Sequence, residues 1–470
     1  MSTPHYHLIG ICGTAMASLA GMLKAKDFRV TGSDANVYPP MSTFLEQLEI
    51  PVNQGFSANN LQPHPDFVVI GNAIPRGNAE VEYTLNTRLR YVSMSEVLKE
   101  QFIRGRHSVV VAGTHGKTTT TSLMAWVMDV GGLNPSFLIG GIAENFGVSF
   151  RVTDSDYFVI EGDEYDTAYF DKGPKFMHYL PITAIVNNVE YDHVDIYFDF
   201  ELYKLAFRRF INLIPSNGHL IAGVDSEVVR ELLPRAFCPV ESFAVCSETA
   251  ARWQAKDICY MAGKTQFTVF YDGQEYAQFT TSLVGDFNIR NCLAVIAVAE
   301  KLAIEKEKIK LGIDTFRSVK RRMQERGTVA GVTVIDDFAH HPTAVKETLL
   351  GARKRYAGQK IIAVFEPRSL SARRKQFQAA YEEAFQVADM TIISALFEPH
   401  RVAPEDQLSP QEIADKLIAQ GRQAWSIPEV DEIVCHLETI VKSGDIIMVM
   451  SNGGFGGIHE KLLEMLKNKK

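Results

Sequence analysis

The chain has 470 residues, a length that suggests roughly three domains rather than one core. Apolar residues make up 46% and charged residues 22%, the balance of a soluble globular protein. The formal net charge of −8 excludes the broad basic footprint of a nucleic-acid binder, although a local cluster of amides and lysines can still hold a small anion.

The N-terminus, "MSTPHYHLIGICG", lacks a basic region leading into a long apolar run, and no stretch reaches membrane-spanning length. The six cysteines include no C-x-x-C pair, which argues for reduced thiols and against a disulfide framework or zinc site. A cytoplasmic protein with no membrane partner is the expectation.

In chain order, "HYHLIGI" reads as a strand, followed by a glycine turn, the helix "TAMASLAGMLKAK" and the strand "FRVTGSD". Gly10 and Gly13 bracket the first turn, where backbone amides can meet a pyrophosphate. "GICGTAM" is G-x-x-G, not the dinucleotide G-x-G-x-x-G. Asp34, after the second strand, stands where a Rossmann fold meets a ribose; starting a turn is its other reading. Strands at "DFVVIG" and "RYVSM" complete a first domain over residues 1–105.

"HSVVVAG" opens a second domain, 106–326, and runs into "VAGTHGKTTTTS". The usual phosphate loop is G-x-x-x-x-G-K-[ST]. Here Val111 occupies the place of the first glycine, and Gly113 lies only three residues before Gly116. The strand–loop–helix context nevertheless predicts a phosphate site. Amides at a helix start are unpaired and the helix dipole favours anions there. Lys117 can neutralise phosphate charge and Thr118 can ligate Mg²⁺. For His115, a phosphate donor and a loop-packing group are both open readings.

Two acidic turns follow strands of the same domain. "VIEGDEYD" presents Glu161, Asp163, Glu164 and Asp166, and "VNNVEYDHVD" presents Asn188, Glu190, Asp192 and His193. Carboxylates at strand carboxyl ends suit a magnesium site, although acidic turns are often merely solvated. Further on come a β-rich stretch around "FTVFYDGQEYAQFTTSLVG", the helix "NIRNCLAVIAVAEKLAI" and a basic boundary segment, "FRSVKRRMQERG". A third domain, 327–470, follows with strands "KIIAVFEP", "MTIISAL" and "DIIMVMS". Alternating strands and helices give an α/β class with mostly parallel sheets.

Together these residues resemble the Mur ligases, ATP-dependent amide-forming enzymes of peptidoglycan assembly, over essentially the whole chain. The family's shortened loop, G-T-[NH]-G-K-[ST]-[ST], matches Gly113, Thr114, His115, Gly116, Lys117, Thr118 and Thr119. "GDFNIRN" looks like its G-x-H-N-x-x-N, with Asn288 in place and Phe287 replacing the usual histidine. "KRRMQERG" resembles its arginine-bearing hinge, with Arg322 at the matching position, and "DDFAHHP" its third-domain opening, with Asp337 as the acidic residue tied to nucleotide binding.

The resemblance implies three domains in series: Rossmann-like and UDP-sugar-binding, then ATP-binding, then Rossmann-like again. It implies ATP and Mg²⁺ as cofactors, Lys117, Glu161 and His193 in catalysis, and Thr118, Glu161 and His193 around the metal. "EGDEYDTAYFDK", "EPRS" and "MSNGGFGGIHEKLL" look like the branch that joins UDP-N-acetylmuramate to the recycled tripeptide L-alanyl-γ-D-glutamyl-meso-diaminopimelate. Arg368 in "EPRS" is the expected peptide contact, because a guanidinium binds carboxylates in two places. Arg373 and Arg374 read as solvated surface. One departure is Arg208, which stands where several Mur ligases carry a carbamylated lysine.

The branch that ligates free L-alanine is the alternative within the family. A non-ligating P-loop ATPase and a nicotinamide oxidoreductase are alternatives outside it. A monomer or weak homo-oligomer is expected.

Overall fold

A computed structural model describes residues 3–261 and 263–469. The first sheet is parallel, with order β3–β2–β1–β4–β5 built from His5–Ile9 (β1), Arg29–Asp34 (β2), Val52–Gln54 (β3), Phe67–Ile70 (β4) and Tyr91–Ser93 (β5). Its order reverses at β1, and the turn after β1 carries Gly10 with φ +82°.

The second sheet has ten strands. Its parallel centre is His107–Ala112 (β6), Ser136–Ala143 (β7), Tyr157–Gly162 (β9), Thr183–Val186 (β12), His219–Gly223 (β13) and Val240–Ala244 (β14), in the order β14–β13–β12–β6–β9–β7. Val148–Arg151 (β8) closes one edge, and a small hairpin, Asp166–Ala168 (β10) with Asp171–Pro174 (β11), stands apart. The β-rich stretch seen in the sequence forms the other edge. There Trp253–Met261 (β15), Lys264–Tyr271 (β16) and Gln274–Thr281 (β17) pair antiparallel with one another. The valine run of β6 is buried on both faces, as a central parallel strand requires.

The third sheet is ordered β18–β19–β23–β20–β21–β22, from Gln324–Val329 (β18), Val332–Asp337 (β19), Ile361–Phe365 (β20), Met390–Ile393 (β21), Gln423–Ser426 (β22) and Ile446–Met450 (β23). Only β18 is antiparallel. It begins inside what the sequence offered as a basic boundary segment and runs two residues past it. Its charged, half-exposed residues fit an edge strand and hide the pattern of one.

The first two units share a contiguous core, in which Phe150 of β8 packs against Gly21 and Phe44. The central and third units meet through Lys354, whose Nζ donates to Asp286 Oδ1 at 2.7 Å, and through Arg290 and Glu347 at 3.0 Å. Among the described residues no helix is long and apolar enough to cross a membrane.

The first unit is organised around a carboxylate. Glu80 is fully buried and accepts from Ser33 Oγ at 2.6 Å, Asn60 Nδ2 at 2.6 Å and Ser57 N at 3.1 Å, with His7 Nε2 at 3.3 Å. It thereby joins β1, the end of β2 and the loop after β3. Burial alone would raise its pKa, but the hydrogen bonds outweigh burial and hold it below the ordinary value.

A folded pKa below the unfolded one means a stabilising contribution that is complete above about pH 4.5 and lost as pH falls through the folded value. Glu80→Gln is therefore expected to lower the melting temperature at neutral pH and to flatten its fall between about pH 5 and pH 3. Melting curves running parallel to wild type over that range would contradict the assignment.

Candidate active site

In the central sheet β6 lies between β9 and β12, with Val111 paired to Glu161 and Ala112 to both Gly162 and Val186. Three strand carboxyl ends therefore stand side by side, and the loops that follow them face one cleft. This is where α/β sheets bind ligands.

The loop after β6 is sewn to the loop after β12. Thr114 Oγ1 donates to Glu190 O at 3.0 Å and accepts from Glu190 N at 2.9 Å. Gly113 has φ +133°, and a Cβ there would lie 3.0 Å from Asn188 O. Gly116 has φ +85°, and a Cβ there would lie 2.6 Å from Asn291 Oδ1. Both glycines are needed for geometry as well as for close approach. The helical ladder starts with Thr120 N donating to Gly116 O, so the amides of Lys117, Thr118 and Thr119 precede it at the N-terminus of helix Lys117–Val130.

Lys117 Nζ donates to Gly113 O at 2.7 Å and to the two oxygens of Glu164 at 2.9 and 2.8 Å. Glu164 has no solvent exposure, and it also meets His193 Nε2 at 3.0 Å and accepts from Tyr203 Oη at 3.1 Å. Burial would discharge both partners of the pair, yet their mutual attraction prevails. Lys117 is pushed above its ordinary pKa, chiefly by Glu164, and Glu164 is drawn below its own by Lys117 and His193.

Glu161 faces a different neighbour. Its Oε2 accepts from Thr118 Oγ1 at 3.1 Å and its Oε1 accepts from Gly140 N. Burial pushes its carboxyl up. Adjacent ligands of octahedral Mg²⁺, at 2.0–2.1 Å from the ion, lie roughly 3 Å apart. The hydroxyl and carboxylate oxygens of Thr118 and Glu161 have that spacing and that hardness, so they fit the ion. His193, the third expected ligand, has its Nε2 3.0 Å from Glu164 Oε1 and takes a left-handed backbone, φ +53°.

The residues expected on the nucleotide side also converge. Asn288 is buried, donates to Val284 O at 2.9 Å and accepts from Asn291 Nδ2 at 3.2 Å. Asn187 Nδ2 continues the chain to Asn291 Oδ1 at 3.3 Å and Thr120 Oγ1 at 3.0 Å. Asp337 accepts from Met323 N at 2.7 Å and Ala339 N at 2.8 Å, which fixes the hinge to the end of β19. The Arg322 guanidinium lies 5.0 Å from the Phe338 ring centre. Asn288, Arg322 and Asp337 line one cleft with Thr114 to Thr119 and His193, a space of about 1440 Å³ between the central and third units.

Other expected residues lie outside that lining. Gly10 N donates to Ser33 O at 2.8 Å, and Gly13 starts helix Thr14–Lys24. Asp34 accepts from Cys12 N at 2.9 Å and Asn36 N at 3.0 Å, tying the turns after β1 and β2. Arg368, at the carboxyl end of β20, stacks 3.6 Å above the Phe397 ring, with Nη1 3.4 Å from Glu366 Oε1.

The solvated reading of Arg373 is wrong. Its side chain is 2% exposed and donates to the carbonyls of Phe397, at 2.6 Å, and Glu398, at 2.8 Å, closing the loop that carries Arg368's stacking partner. Arg208 is exposed on helix Phe200–Asn212, and Tyr203 is the residue of that helix that reaches Glu164. Tyr203 was legible in principle, since Tyr203, Phe207 and Phe210 repeat at helical spacing on the buried face.

Three family models match consecutive stretches of this chain. They are the Mur ligase family catalytic domain at 5–106, the Mur ligase middle domain at 111–299 and the Mur ligase glutamate ligase domain at 321–453. The chain belongs to the Mur ligase family. Mur ligases are ATP-dependent enzymes that form amide bonds, and the phosphate loop described above lies in the segment matched by the middle-domain model.

A Haemophilus influenzae protein named UDP-N-acetylmuramate–L-alanyl-γ-D-glutamyl-meso-2,6-diaminoheptandioate ligase is 41% identical, over 99% of this chain and all of its own. A UDP-N-acetylmuramate–L-alanine ligase of Caldanaerobacter subterraneus is 33% identical over 99% of this chain and 98% of its own. The crystal structure of a murein peptide ligase from Psychrobacter arcticus superposes with a TM-score of 0.73 at 37% identity, covering 99% of each chain.

In this Mur ligase a side chain at Gly116 has no space and the wrong backbone. Gly116→Ala is expected to cost about 1–3 kcal/mol of local strain, read as a lower melting temperature and about tenfold or more weaker ATP binding. Unchanged ATP affinity would show that the loop does not need this conformation.

Proposed function

We propose that this chain joins UDP-N-acetylmuramate to the tripeptide L-alanyl-γ-D-glutamyl-meso-diaminopimelate, in peptidoglycan recycling. The observation that carries the reading is the full-length 41% identity to a protein of that name, against 33% for the alanine-ligating relative. Cleavage of ATP would activate the muramate lactyl carboxylate as an acyl phosphate, which the peptide's α-amine then attacks with release of phosphate.

Catalysis by this chain is positioning and charge neutralisation. In the proposal the amides of Lys117, Thr118 and Thr119 cradle phosphate oxygens, and Lys117 supplies a cation fixed by Gly113 O and Glu164. Asn288, Arg322 and Asp337 serve the nucleotide side of the cleft, and His115 of the same loop stands 3.1 Å from Glu190. Thr118 and Glu161 would hold Mg²⁺, whose charge neutralises phosphate oxygens; His193 orders Glu164 and therefore Lys117. The amides after Gly10 and Gly13, with Asp34, are assigned to the UDP moiety.

Arg368 is assigned to a carboxylate of the peptide. Its stacking on Phe397 leaves the edge of the guanidinium for a bidentate contact, and stacking reduces what the side chain loses on binding.

The test offers UDP-N-acetylmuramate and ATP with either L-alanine or the tripeptide, and identifies products by mass. The tripeptide adduct is expected, and preferential ligation of alanine would move the chain to the biosynthetic branch. Arg368→Ala is expected to raise KM for the tripeptide about tenfold or more with little change in KM for ATP. Unchanged tripeptide KM would remove Arg368 from the peptide site.

A further inference from the structure

A second group of ligating side chains stands where the phosphate loop meets the third unit. His115 belongs to the loop, Glu190 to the segment after β12, and His341 to the start of helix Pro342–Arg355 in the third unit. One ligating atom from each lies within 4.8 Å of the other two. His115 Nε2 is 3.1 Å from Glu190 Oε2, and the His115 and His341 rings are 4.8 Å apart.

Tetrahedral Zn²⁺ with bonds of 2.0–2.1 Å separates neighbouring ligands by roughly 3.3 Å. The His115–Glu190 pair therefore already has ligand spacing, and His341 closes the set by an approach on the order of 1.5 Å.

A separate observation concerns the same histidine. His341 is 7% exposed, and among the described residues its Nε2 has no hydrogen-bond partner. An unpaired buried polar atom costs about 1–3 kcal/mol and calls for a missing partner. The other nitrogen, Nδ1, takes only a long bond from Thr343 N, at 3.3 Å. Ligation through Nε2 moves the ring proton to Nδ1 and exchanges that long bond for a metal bond, with no net proton change.

We propose that His115, Glu190 and His341 bind a divalent transition-metal ion of the Zn²⁺ class and thereby fasten the phosphate loop to the third unit. Two imidazoles and one carboxylate select such an ion over Mg²⁺, which prefers the oxygen pair of Thr118 and Glu161. Three protein ligands leave a fourth position for water or a substrate oxygen. The cysteine pattern carries no sign of this site because its ligands are imidazole and carboxylate. Its two central-unit ligands and one third-unit ligand make it a bridge across the cleft.

The test uses full-length, chelator-treated protein without nucleotide, titrated with Co²⁺ as a spectroscopic probe. About one equivalent is expected to give the intense visible bands of a tetrahedral ion, displaced by Zn²⁺ and not by Mg²⁺. His341→Ala and Glu190→Gln are each expected to weaken Co²⁺ and Zn²⁺ binding by about a hundredfold or more, and to abolish the rise in melting temperature that Zn²⁺ gives the wild type. Circular dichroism in chelator verifies that each variant is folded, and His341→Gln serves in place of an alanine variant that is not. Absence of tetrahedral bands in the wild type would overturn the proposal. So would bands and affinities that persist in both folded variants, which would mark an adventitious ion elsewhere.

Discussion

The buried carboxylate of Glu164 is the point on which the active cleft depends. It has no contact with water, yet it receives Lys117, His193 and Tyr203 from three different segments. A lone charge at that depth would be strongly unfavourable, and removing one partner of such a pair typically costs about 3–5 kcal/mol. Lys117, Glu164 and His193 therefore position one another. The result is a lysine whose ammonium is held beside the start of a helix, where an anion's charge is already favoured.

The topology makes this convergence possible. Because β6 lies between β9 and β12, segments far apart in sequence leave the sheet at neighbouring points. The phosphate loop gains its shape from its neighbours, with Thr114 sewn to Glu190 and Gly116 fitted against Asn291. Its short glycine spacing is thus no defect. Positive φ at both glycines turns the chain tightly enough to start a helix without the longer loop. The hinge is treated in the same way, since Asp337 accepts from the amides of Met323 and Ala339 and so ties it to the end of β19.

Much of this was legible in the sequence, for local reasons. A run of valines, two glycines and a Lys-Thr pair at a helix start carry their meaning within a dozen residues. The acidic stretch from the end of β9 to the start of β10 does not, since Glu161, Asp163, Glu164 and Asp166 are alike in local pattern. Only tertiary contact separates them: Glu161 meets Thr118, Asp163 meets Lys175 at 2.6 Å, Asp166 meets Lys172 at 2.6 Å, and Glu164 meets Lys117. Arg373 was misjudged for the same reason, because nothing nearby in sequence announces the carbonyls of Phe397 and Glu398 that draw its guanidinium inward. Strand β18 was missed because an exposed edge strand has no apolar face to advertise it.

The central claim is that Lys117, poised by Glu164, is the cation that receives the nucleotide's phosphates. A crystal structure with a non-hydrolysable ATP analogue tests it most directly. The account predicts phosphate oxygens on the amides of Lys117, Thr118 and Thr119, with Lys117 Nζ within hydrogen-bond distance of a phosphate and Glu164 still held by His193 and Tyr203. A nucleotide bound elsewhere, or one that leaves Lys117 in contact with Gly113 and Glu164 alone, would contradict it.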